Sequence, residues 1–390
     1  MLSWAVFMRL RGSYALLAAL AAAALLAACG RPTTTRPVPS PGPAARPGPA
    51  GVTPTTPSPA AALPWGSRAP HKYLSSDVLI ADASNNRILL VTPDKRIVWQ
   101  MPEPGQPSPL RDDDDVFFGP HWDEIITNEE DHHLISIIDF NTRKIVWSYG
   151  HPGVPGSAPG FLNTPDDAFL YERDGGLITA ADIKNQRIVF IDRQSKRIVK
   201  QYGHTGVMRI NPPAYFSAPN GDFPAPGQGM LVTQINGNNA ILLDREGRVV
   251  WTLAFPKSLW YPSDANFTPD GNVICAFYTN PGAVVIMSPA GKLLWQYRVA
   301  SGEGKLNHPS LAVQLPNRMV LLNDDFRHRV IVIDPSTNKI VWQYGHTDAP
   351  GTAPGYLNVP DGVDVLPAGI TPGVRNPIGR HLWSYPGNGY

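Results

Sequence analysis

Cysteine is scarce in this sequence of 390 residues, which contains only Cys29 and Cys275. Two cysteines exclude a disulfide framework and a cysteine-rich zinc site. Charged residues make up only 17%, against 43% hydrophobic residues, and no segment after residue 28 shows a convincing helical period. Proline and glycine are instead frequent, with 42 and 35 residues. The length allows one large all-β domain or two ordinary domains.

Acidic residues are missing from the first part of the chain, where Asp77 is the first carboxylate. Residues 77–390 contain all 32 carboxylates and 26 of the 33 Lys and Arg residues, which gives this part a net charge of −6. A protein that binds duplex nucleic acid needs a positive surface. We therefore expect no nucleic-acid partner.

The first 28 residues are typical of a signal peptide. Arg9 and Arg11 precede an uncharged, mostly apolar run over 13–28. A helix of that length reaches about 24 Å, which is too short to span a bilayer core. The run ends in Leu26-Ala-Ala-Cys29, which resembles the bacterial lipoprotein box and implies cleavage before Cys29 and lipid attachment to it. A secretory signal with a chance cysteine is the alternative.

The next segment is predicted to be an extended tether, because 31–70 contains 12 Pro and no acidic residue. Such a segment cannot bury a core, and in the polyproline II conformation it reaches up to about 120 Å. A passive linker without a tuned length is the alternative. The expected organisation is a signal peptide over 1–28, the lipid-bearing cysteine and tether over 29–70, a folded domain over 71–369 and a tail over 370–390. Such a protein is extracytoplasmic and held at a membrane by lipid.

The folded part is one motif repeated six times. A basic residue and two aliphatic residues precede a key position that recurs at spacings of 48, 53, 51, 44 and 47 residues. The key positions are Trp99, Trp147, Lys200, Trp251, Trp295 and Trp342. A period near 48 with β-branched runs is the length of a four-stranded propeller blade, whereas an open sandwich would not repeat so regularly. Blade one starts at its second strand, so we expect 360–366 to supply its inner strand. The sequence thus predicts an all-β, six-bladed propeller of four-stranded antiparallel blades, closed by strands from both termini.

Two propeller families are similar to these repeats. The stretch Gly160-Phe-Leu-Asn163-Thr-Pro165, with Ala181-Asp182 and Arg187-Ile188 after it, resembles an NHL repeat. The outer strand at 334–342 is similar to the quinoprotein, or PQQ-like, repeat. In that repeat the Trp docks neighbouring blades, so the resemblance implies a packing role for the five Trp residues, with ligand stacking as the alternative. Lys200 breaks the series, and we expect the weakest blade contact beside it.

Polar residues are concentrated where the inner strands are expected to begin, around one mouth of the central channel. The candidate binding residues there are Asn163, Asp166, Asp167, Asp264, His308 and Asp361, and the same cluster of carboxylates includes Asp114 and Asp115. Carboxylates that converge in this way favour a cation or a polar ligand, and the alternative is that they satisfy loop amides. The nearby run Asp112–Asp115 is expected to be solvated, with a contribution to Ca²⁺ binding as the alternative.

A five-residue spacing from Asp to Arg occurs three times, on either side of the hairpin between the second and third strands. The spacing predicts that the Asp caps the turn or pairs with the Arg across it. The three instances are Asp82 with Arg87, Asp182 with Arg187 and Asp324 with Arg329.

Motifs that would assign a reaction are absent: the sequence has no nucleophile elbow, phosphate-binding loop, dinucleotide fingerprint or zinc-protease helix. Enzymes of the quinoprotein family commonly carry adjacent cysteines at the cofactor, and Cys275 stands alone. We expect no quinone or haem, and at most a single divalent cation such as Ca²⁺ in the channel. The favoured function is a monomeric binding or scaffold module for a protein or polysaccharide at the cell envelope. The alternative, implied by resemblance to six-bladed lactonases and lyases, is a metal-dependent enzyme that uses Asp166, Asp264, Asp361 and His308.

Overall fold

Short β-branched runs separated by Asp, Asn and Gly turns form antiparallel strands throughout the computed structural model, which describes residues 72–171, 176–225 and 229–376. The predicted signal peptide, Cys29 and the tether lie outside the described residues. No α-helix occurs among the described residues. Within that part of the chain, no helix has the length and apolar character needed to span a membrane.

The described residues form 24 strands in six four-stranded antiparallel sheets, and each sheet is one blade of a propeller. In order from the innermost to the outermost strand, the blades are β24 (Pro360–Leu366), β1 (Asp77–Asp82), β2 (Arg87–Val91) and β3 (Ile97–Met101) in blade one; β4 (Val116–Phe118), β5 (Glu124–Glu129), β6 (Leu134–Asp139) and β7 (Lys144–Gly150) in blade two; β8 (Pro165–Leu170), β9 (Leu177–Asp182), β10 (Arg187–Asp192) and β11 (Arg197–Gly203) in blade three; β12 (Pro219–Ala225), β13 (Gly229–Gln234), β14 (Asn239–Leu243) and β15 (Val249–Ala254) in blade four; β16 (Pro262–Phe267), β17 (Val273–Phe277), β18 (Ala283–Met287) and β19 (Leu293–Tyr297) in blade five; and β20 (Ala312–Gln314), β21 (Val320–Asp324), β22 (Arg329–Asp334) and β23 (Lys339–Gly345) in blade six.

Blade one combines strands from both ends of the described chain. β24 pairs antiparallel with β1, with Asp77 opposite Leu366 and Ile80 opposite Val363. The innermost strands of blades one to six contact the neighbouring blades around the ring. The predicted six-bladed, all-β propeller and its closure by 360–366 are confirmed. This closure leaves no long free edge on the inner side of blade one.

Short 3-10 turns connect the second and third strands of four blades, where the sequence predicted plain hairpin turns. These turns are Ala83–Asn85, Glu130–His132, Ile183–Asn185 and Asp325–Arg327. In each case the residue after the turn has a left-handed backbone conformation, with φ between 52° and 60°. In blades one, three and six the turns place a second-strand Asp opposite a third-strand Arg.

Four of the five outer-strand Trp residues contact the turn between the third and fourth strands of the next blade. Three of them are buried and donate the indole N–H to a backbone carbonyl at 2.8–2.9 Å; these pairs are Trp99 with Phe140, Trp147 with Arg193, and Trp342 with Pro93. Trp295 donates to the Asn338 side chain at 2.8 Å. In blade three the position of the Trp is occupied by Lys200, whose Nζ donates to the Arg245 carbonyl at 2.9 Å. A lysine therefore makes the corresponding contact with blade four. Trp251 is half-buried and packs edge-on against Phe267.

Candidate functional site

Three carboxylates at the ends of second strands form buried ion pairs. Asp182 Oδ2 accepts a hydrogen bond from Arg187 Nε at 2.7 Å, and its Oδ1 accepts from the Asn163 backbone N–H at 2.7 Å. The arrangement recurs in two further pairs, Asp82–Arg87 at 2.6 Å and Asp324–Arg329 at 2.8 Å. In those pairs too, the second oxygen accepts a backbone N–H from the preceding connector. The predicted pairing across the hairpin is confirmed, and each pair fixes a connector to its blade.

The innermost strands of blades one, three, four and five begin with a proline followed by a β-bulge. Pro165 lies opposite Asp182, and the register then shifts between Asp166 and Phe169. Similar shifts follow Pro219 and Pro262. A bulge removes residues from the ladder and turns their side chains in a new direction. The two residues after each proline are thereby able to meet those of other blades around the channel.

These two positions define two layers of side chains around the channel, and in blade two Asp113 takes the place of the proline. In blade order, the first layer contains Asp361, Asp114, Asp166, Asn220, Ser263 and Ser310. The second layer contains Gly362, Asp115, Asp167, Gly221, Asp264 and Leu311. Carboxylates therefore dominate blades one to three, and blade five adds one from the opposite side.

Carboxylate oxygens from different blades approach one another closely in this channel. One oxygen from each of Asp115, Asp167 and Asp264 lies within 4.8 Å of the others, and the same holds for Asp114, Asp115 and Asp166. Asp115 belongs to both groups. All five side chains are buried, and Asp114 is the most exposed at 7%. Oxygen donors at this spacing, from two blades in one group and three in the other, have the chemistry that a hard divalent cation requires.

Burial shifts the protonation of these groups towards the neutral acid. It raises the pKa of Asp264 to about 7, although the Asn220 side-chain amide donates to Asp264 at 3.2 Å. Burial likewise raises the pKa of Asp115 and Asp167 well above the usual range, and neighbouring carboxylates raise it further. Among the described residues, no Lys or Arg forms an ion pair with these three carboxylates. The channel therefore lacks the counter-charge that the hairpin carboxylates have.

The other predicted site residues lie around this group without joining it. Asn163 is used through its backbone N–H, which donates to Asp182. His308 packs edge-on against the rings of Tyr278 and Phe326, and its Nδ1 lies 2.7 Å from Asn307 Oδ1. Neither close carboxylate group contains a histidine or Asp361. The set Asp166, Asp264, Asp361 and His308, suggested for a metal enzyme, is thus not one of the groups that the structure brings together.

Asp115 is the site residue that the sequence interpretation undervalued. The expectation that the run Asp112–Asp115 is solvated is wrong for its last three members, because Asp113, Asp114 and Asp115 are 0%, 7% and 2% exposed. Asp115 stands two positions after Asp113, as Asp167 stands two positions after Pro165. Aligning the run with the Pro-Asp-Asp motif of blade three was the available signal.

A separate exposed apolar surface lies beside blade four, on the face that carries the connectors between blades. Met208, Ile210 and Trp260 are 58%, 54% and 54% exposed. The Asn236 amide contacts the Met208 sulfur at 3.6 Å, and the Asn238 amide donates to the connector that carries Trp260 at 3.1 Å. Both connectors therefore flank the β13–β14 turn. We call these three apolar side chains and their surroundings the blade-four surface.

The charged residues of the blade-four surface are all basic. Arg209 and Lys257 are exposed within the two connectors, and Arg298 donates to the Ser258 carbonyl at 3.3 Å. The segments 204–217, 235–238 and 255–261 contain no acidic residue. Apolar side chains with a basic border make this surface complementary to an acidic, partly apolar ligand.

Comparison with known proteins identifies a family. Residues 131–356, more than half of the chain, match the family described as outer membrane protein assembly factor BamB. No curated protein matches the sequence.

Solved structures resemble the propeller at low sequence identity. A protein of unknown function from Bacteroides caccae has a TM-score of 0.51 at 16% identity, covering 74% of this chain and 97% of that chain. A chain of a nidogen/laminin complex has a TM-score of 0.50 at 13% identity, with the same coverage of 74% and 97%. A catalytically inactive virginiamycin B lyase from Staphylococcus aureus, with quinupristin, reaches 0.43 at 15% identity, covering 61% and 71%. The first two likenesses show the fold and no activity, and the third supports no conclusion about this chain.

Proposed function

This chain belongs to the family described as outer membrane protein assembly factor BamB, and from that premise we propose that it is a lipid-anchored, extracytoplasmic scaffold that binds a protein partner. The propeller is the rigid head, Cys29 carries the lipid, and 31–70 is the tether. The family's description as an assembly factor supports a role that involves contact with other proteins, and an extracytoplasmic location is typical of the family. The single observation that supports the docking site is the exposed blade-four surface.

The composition of the blade-four surface favours a protein partner. Met, Trp and Arg are enriched in the cores of protein interfaces, and this surface presents Met208 and Trp260 beside Arg209 and Arg298. Exposed apolar groups gathered at one place mark interaction sites more often than single exposed residues do. The basic border selects a partner segment that combines carboxylates with apolar side chains.

A polysaccharide is the weaker candidate for this surface. Sugar recognition needs strong hydrogen-bonding groups beside an aromatic ring, whereas Ile210 supplies none and Met208 supplies only a weak thioether acceptor, which the Asn236 amide already contacts. Trp260 alone is suited to stacking on a sugar ring. We therefore commit to an acidic, partly apolar protein segment, and adducts to glycan rather than protein are an outcome that the test below separates.

The test places a photo-crosslinking amino acid at Trp260 of the full chain in native cells. The control position is Val146, which is 52% exposed on the outer strand of blade two. We expect a discrete protein adduct at position 260 and none of the same size at 146, with adducted peptides rich in Asp and Glu. Equal adducts at both positions, no adduct at 260, or an adduct to glycan would each contradict the proposed docking site.

Charge reversal tests the basic border on the same cross-link. Replacing Arg209, Lys257 and Arg298 together by Glu should abolish the adduct at position 260, since like charges then face the partner. The matched control reverses three exposed basic residues elsewhere, Lys95, Lys196 and Lys339, and should leave the adduct in place. An adduct that survives the first reversal would show that charge complementarity does not select the partner.

Lipid anchoring is tested independently of docking. Cys29→Ser removes the only sulfur to which lipid can be attached in the box. We expect uncleaved precursor or release of the protein into the soluble fraction, because durable anchoring needs more than one acyl chain on the mature protein. A Cys29→Ser variant that is still processed and lipid-modified would disprove the anchor.

A further inference from the structure

We propose that the second layer of the channel binds one divalent cation, Ca²⁺ by its chemistry, through Asp115, Asp167 and Asp264. The three carboxylates come from blades two, three and five, and one oxygen of each lies within 4.8 Å of the others. Blades two and five face each other across the ring of six blades. The cation would therefore sit on the channel axis and connect blades whose strands do not pair with one another.

Asp167 gives an observation that does not depend on the clustering of charges. Its side chain is 0% exposed, and among the described residues no N–H or hydroxyl group donates to either carboxylate oxygen. Asp115 Oδ1 likewise has no donor. Buried polar atoms are nearly always satisfied, and those that are not indicate an ion or water at the position. Because both oxygens of Asp167 lack a donor, the one that lies where the three carboxylates meet is unsatisfied.

One glycine of the second layer leaves space beside these oxygens. A Cβ atom added at Gly221 would lie 2.8 Å from Asp167 Oδ2, 3.2 Å from Thr233 Oγ1 and 3.6 Å from Asp264 Oδ1. The backbone of Gly221 is not in the left-handed region, so an alanine there is opposed by crowding against these side chains and not by backbone conformation. The ring therefore has no side chain beside the oxygens of Asp167 and Asp264. At Gly362 an added Cβ atom would lie 2.7 Å from Asp115 Cα and 2.9 Å from the Asp114 carbonyl oxygen, so this glycine allows close backbone packing.

The donor set favours calcium over other metals. All three ligands are carboxylate oxygens, which suit Ca²⁺, Mg²⁺ and Mn²⁺ and exclude metals that need nitrogen or sulfur. Ca²⁺ accepts irregular geometry and carboxylates from separate strands, whereas Mg²⁺ requires a near-ideal octahedron. Three carboxylates with a divalent ion leave one negative charge, and without the ion they must be protonated or repel one another. This cation site does not depend on the blade-four surface, so either proposal can fail alone.

The experiment titrates the full chain, purified in detergent and stripped with EDTA, with CaCl₂ in a calorimeter. We expect binding at a 1:1 ratio with a Kd of roughly 1 mM or tighter, the range of extracellular Ca²⁺ modules. Asp167→Asn should weaken binding by about tenfold or more, as loss of even an outer partner of a metal site does. Asp222→Asn is the matched control, because Asp222 is also 0% exposed but belongs to neither close group. It should bind Ca²⁺ like the parent.

Some variants will change the stability of the protein itself. The shift in melting temperature that Ca²⁺ causes in each variant, compared with the shift in the parent, still reports binding in that case. The parent and Asp222→Asn should melt higher in Ca²⁺, since a ligand that binds only the native state stabilises it. Gly221→Ala should fold but lose most of the Ca²⁺ shift. The proposal is overturned if the parent shows no heat and no shift at up to about 10 mM Ca²⁺, if Asp167→Asn binds like the parent, or if Asp222→Asn loses binding equally.

Discussion

Buried carboxylates occur in two regions of this propeller, and the two sets differ in what surrounds them. At the hairpins, Asp182 is 0% exposed, and its oxygens accept hydrogen bonds from Arg187, Asn185 and a connector N–H. In the channel, Asp167 is equally buried and meets other carboxylates. Each hairpin Asp has an arginine five residues later in the sequence as its counter-charge. The channel carboxylates must instead bind a proton or a cation from the solvent.

The presence or absence of an arginine partner distinguishes structural carboxylates from candidate binding carboxylates more reliably than burial or repetition alone. Asp-to-Arg pairs occur in blades one, three and six, and each one fixes a connector. The channel carboxylates differ from blade to blade, because the second layer is acidic in blades two, three and five and has Gly362, Gly221 and Leu311 in the other three. A packing device is copied with its partners, whereas a binding site needs only one set of ligands. The following experiments test that contrast.

The largest effect is expected when a hairpin pair is broken. Asp182→Asn leaves Arg187 charged and 4% exposed, and removing one partner of a buried pair costs roughly 3–5 kcal/mol of the free energy of unfolding. Urea denaturation measures the change. The control is Asp244→Asn, because Asp244 pairs with Arg248, which is 75% exposed, and exposed pairs contribute little. If Asp182→Asn and Asp244→Asn lost the same free energy of unfolding, the hairpin pairs would not have the structural role inferred for them.

The same substitution in the channel is expected to have the opposite sign. In EDTA at pH 8, the buried Asp167 carboxyl group must either take up a proton or repel Asp115 and Asp264, and both cost free energy relative to the unfolded chain. Asp167→Asn removes this cost, so the free energy of unfolding should rise by roughly 1–3 kcal/mol. Addition of Ca²⁺ should reduce this difference in the free energy of unfolding between the variant and the parent, since the parent binds the cation more tightly. A channel variant destabilised as strongly as Asp182→Asn would mean that the two sets of carboxylates do not differ.

Blade two provides an intermediate case in which the hairpin carboxylate has no arginine opposite it. Glu129 pairs in register with Leu134, where blade three has Asp182 opposite Arg187. Burial raises the pKa of Glu129 to about 7, while the N–H and charge of Arg111 lower it and Asp112 raises it. The pKa of Glu129 is higher in the folded protein than in the unfolded chain, where it is near 4.5. The contribution of Glu129 to the free energy of unfolding is therefore fully present below pH 4.5 and is lost as the pH rises through 7.

Glu129→Gln should therefore reduce the fall in the free energy of unfolding between pH 5 and pH 8. Urea titrations of the parent and the variant at several pH values measure the difference, which cancels the titration of groups common to both. Glu103→Gln, at a side chain that is 62% exposed, is the control and should follow the parent. Parallel pH profiles for Glu129→Gln and the parent would assign the pH dependence to other groups.

The sequence predicted the parts of the fold that local residue patterns determine. The repeat of the Trp position, the turn residues and the late strand at 360–366 were enough for the blade number and the closure. The Asp-to-Arg spacing was also readable, because both partners lie on one hairpin. Each of these features depends on residues close in sequence or on a period.

The channel could be predicted only in outline. Asp115, Asp167 and Asp264 are 52 and 97 residues apart in successive steps, and only the ring geometry brings their oxygens together. The run at 112–115 resembles a solvated acidic stretch until it is aligned with the Pro-Asp-Asp motif of blade three. The blade-four surface was missed because Met208 and Trp260 lie on different connectors, and nothing in either segment alone indicates exposure.

The smallest effect is expected at Asp361, which belongs to the first layer of the channel. It is 4% exposed and raises the pKa of Asp114 and Asp115 through its charge, but it is not part of either close group. If the cation is bound in the second layer, Asp361→Asn removes only a through-space attraction. Ca²⁺ affinity should then fall by less than about tenfold, the minimum expected when a ligand is removed. Calorimetry on Asp361→Asn beside Asp167→Asn measures both, and an equal loss would move the cation towards the first layer.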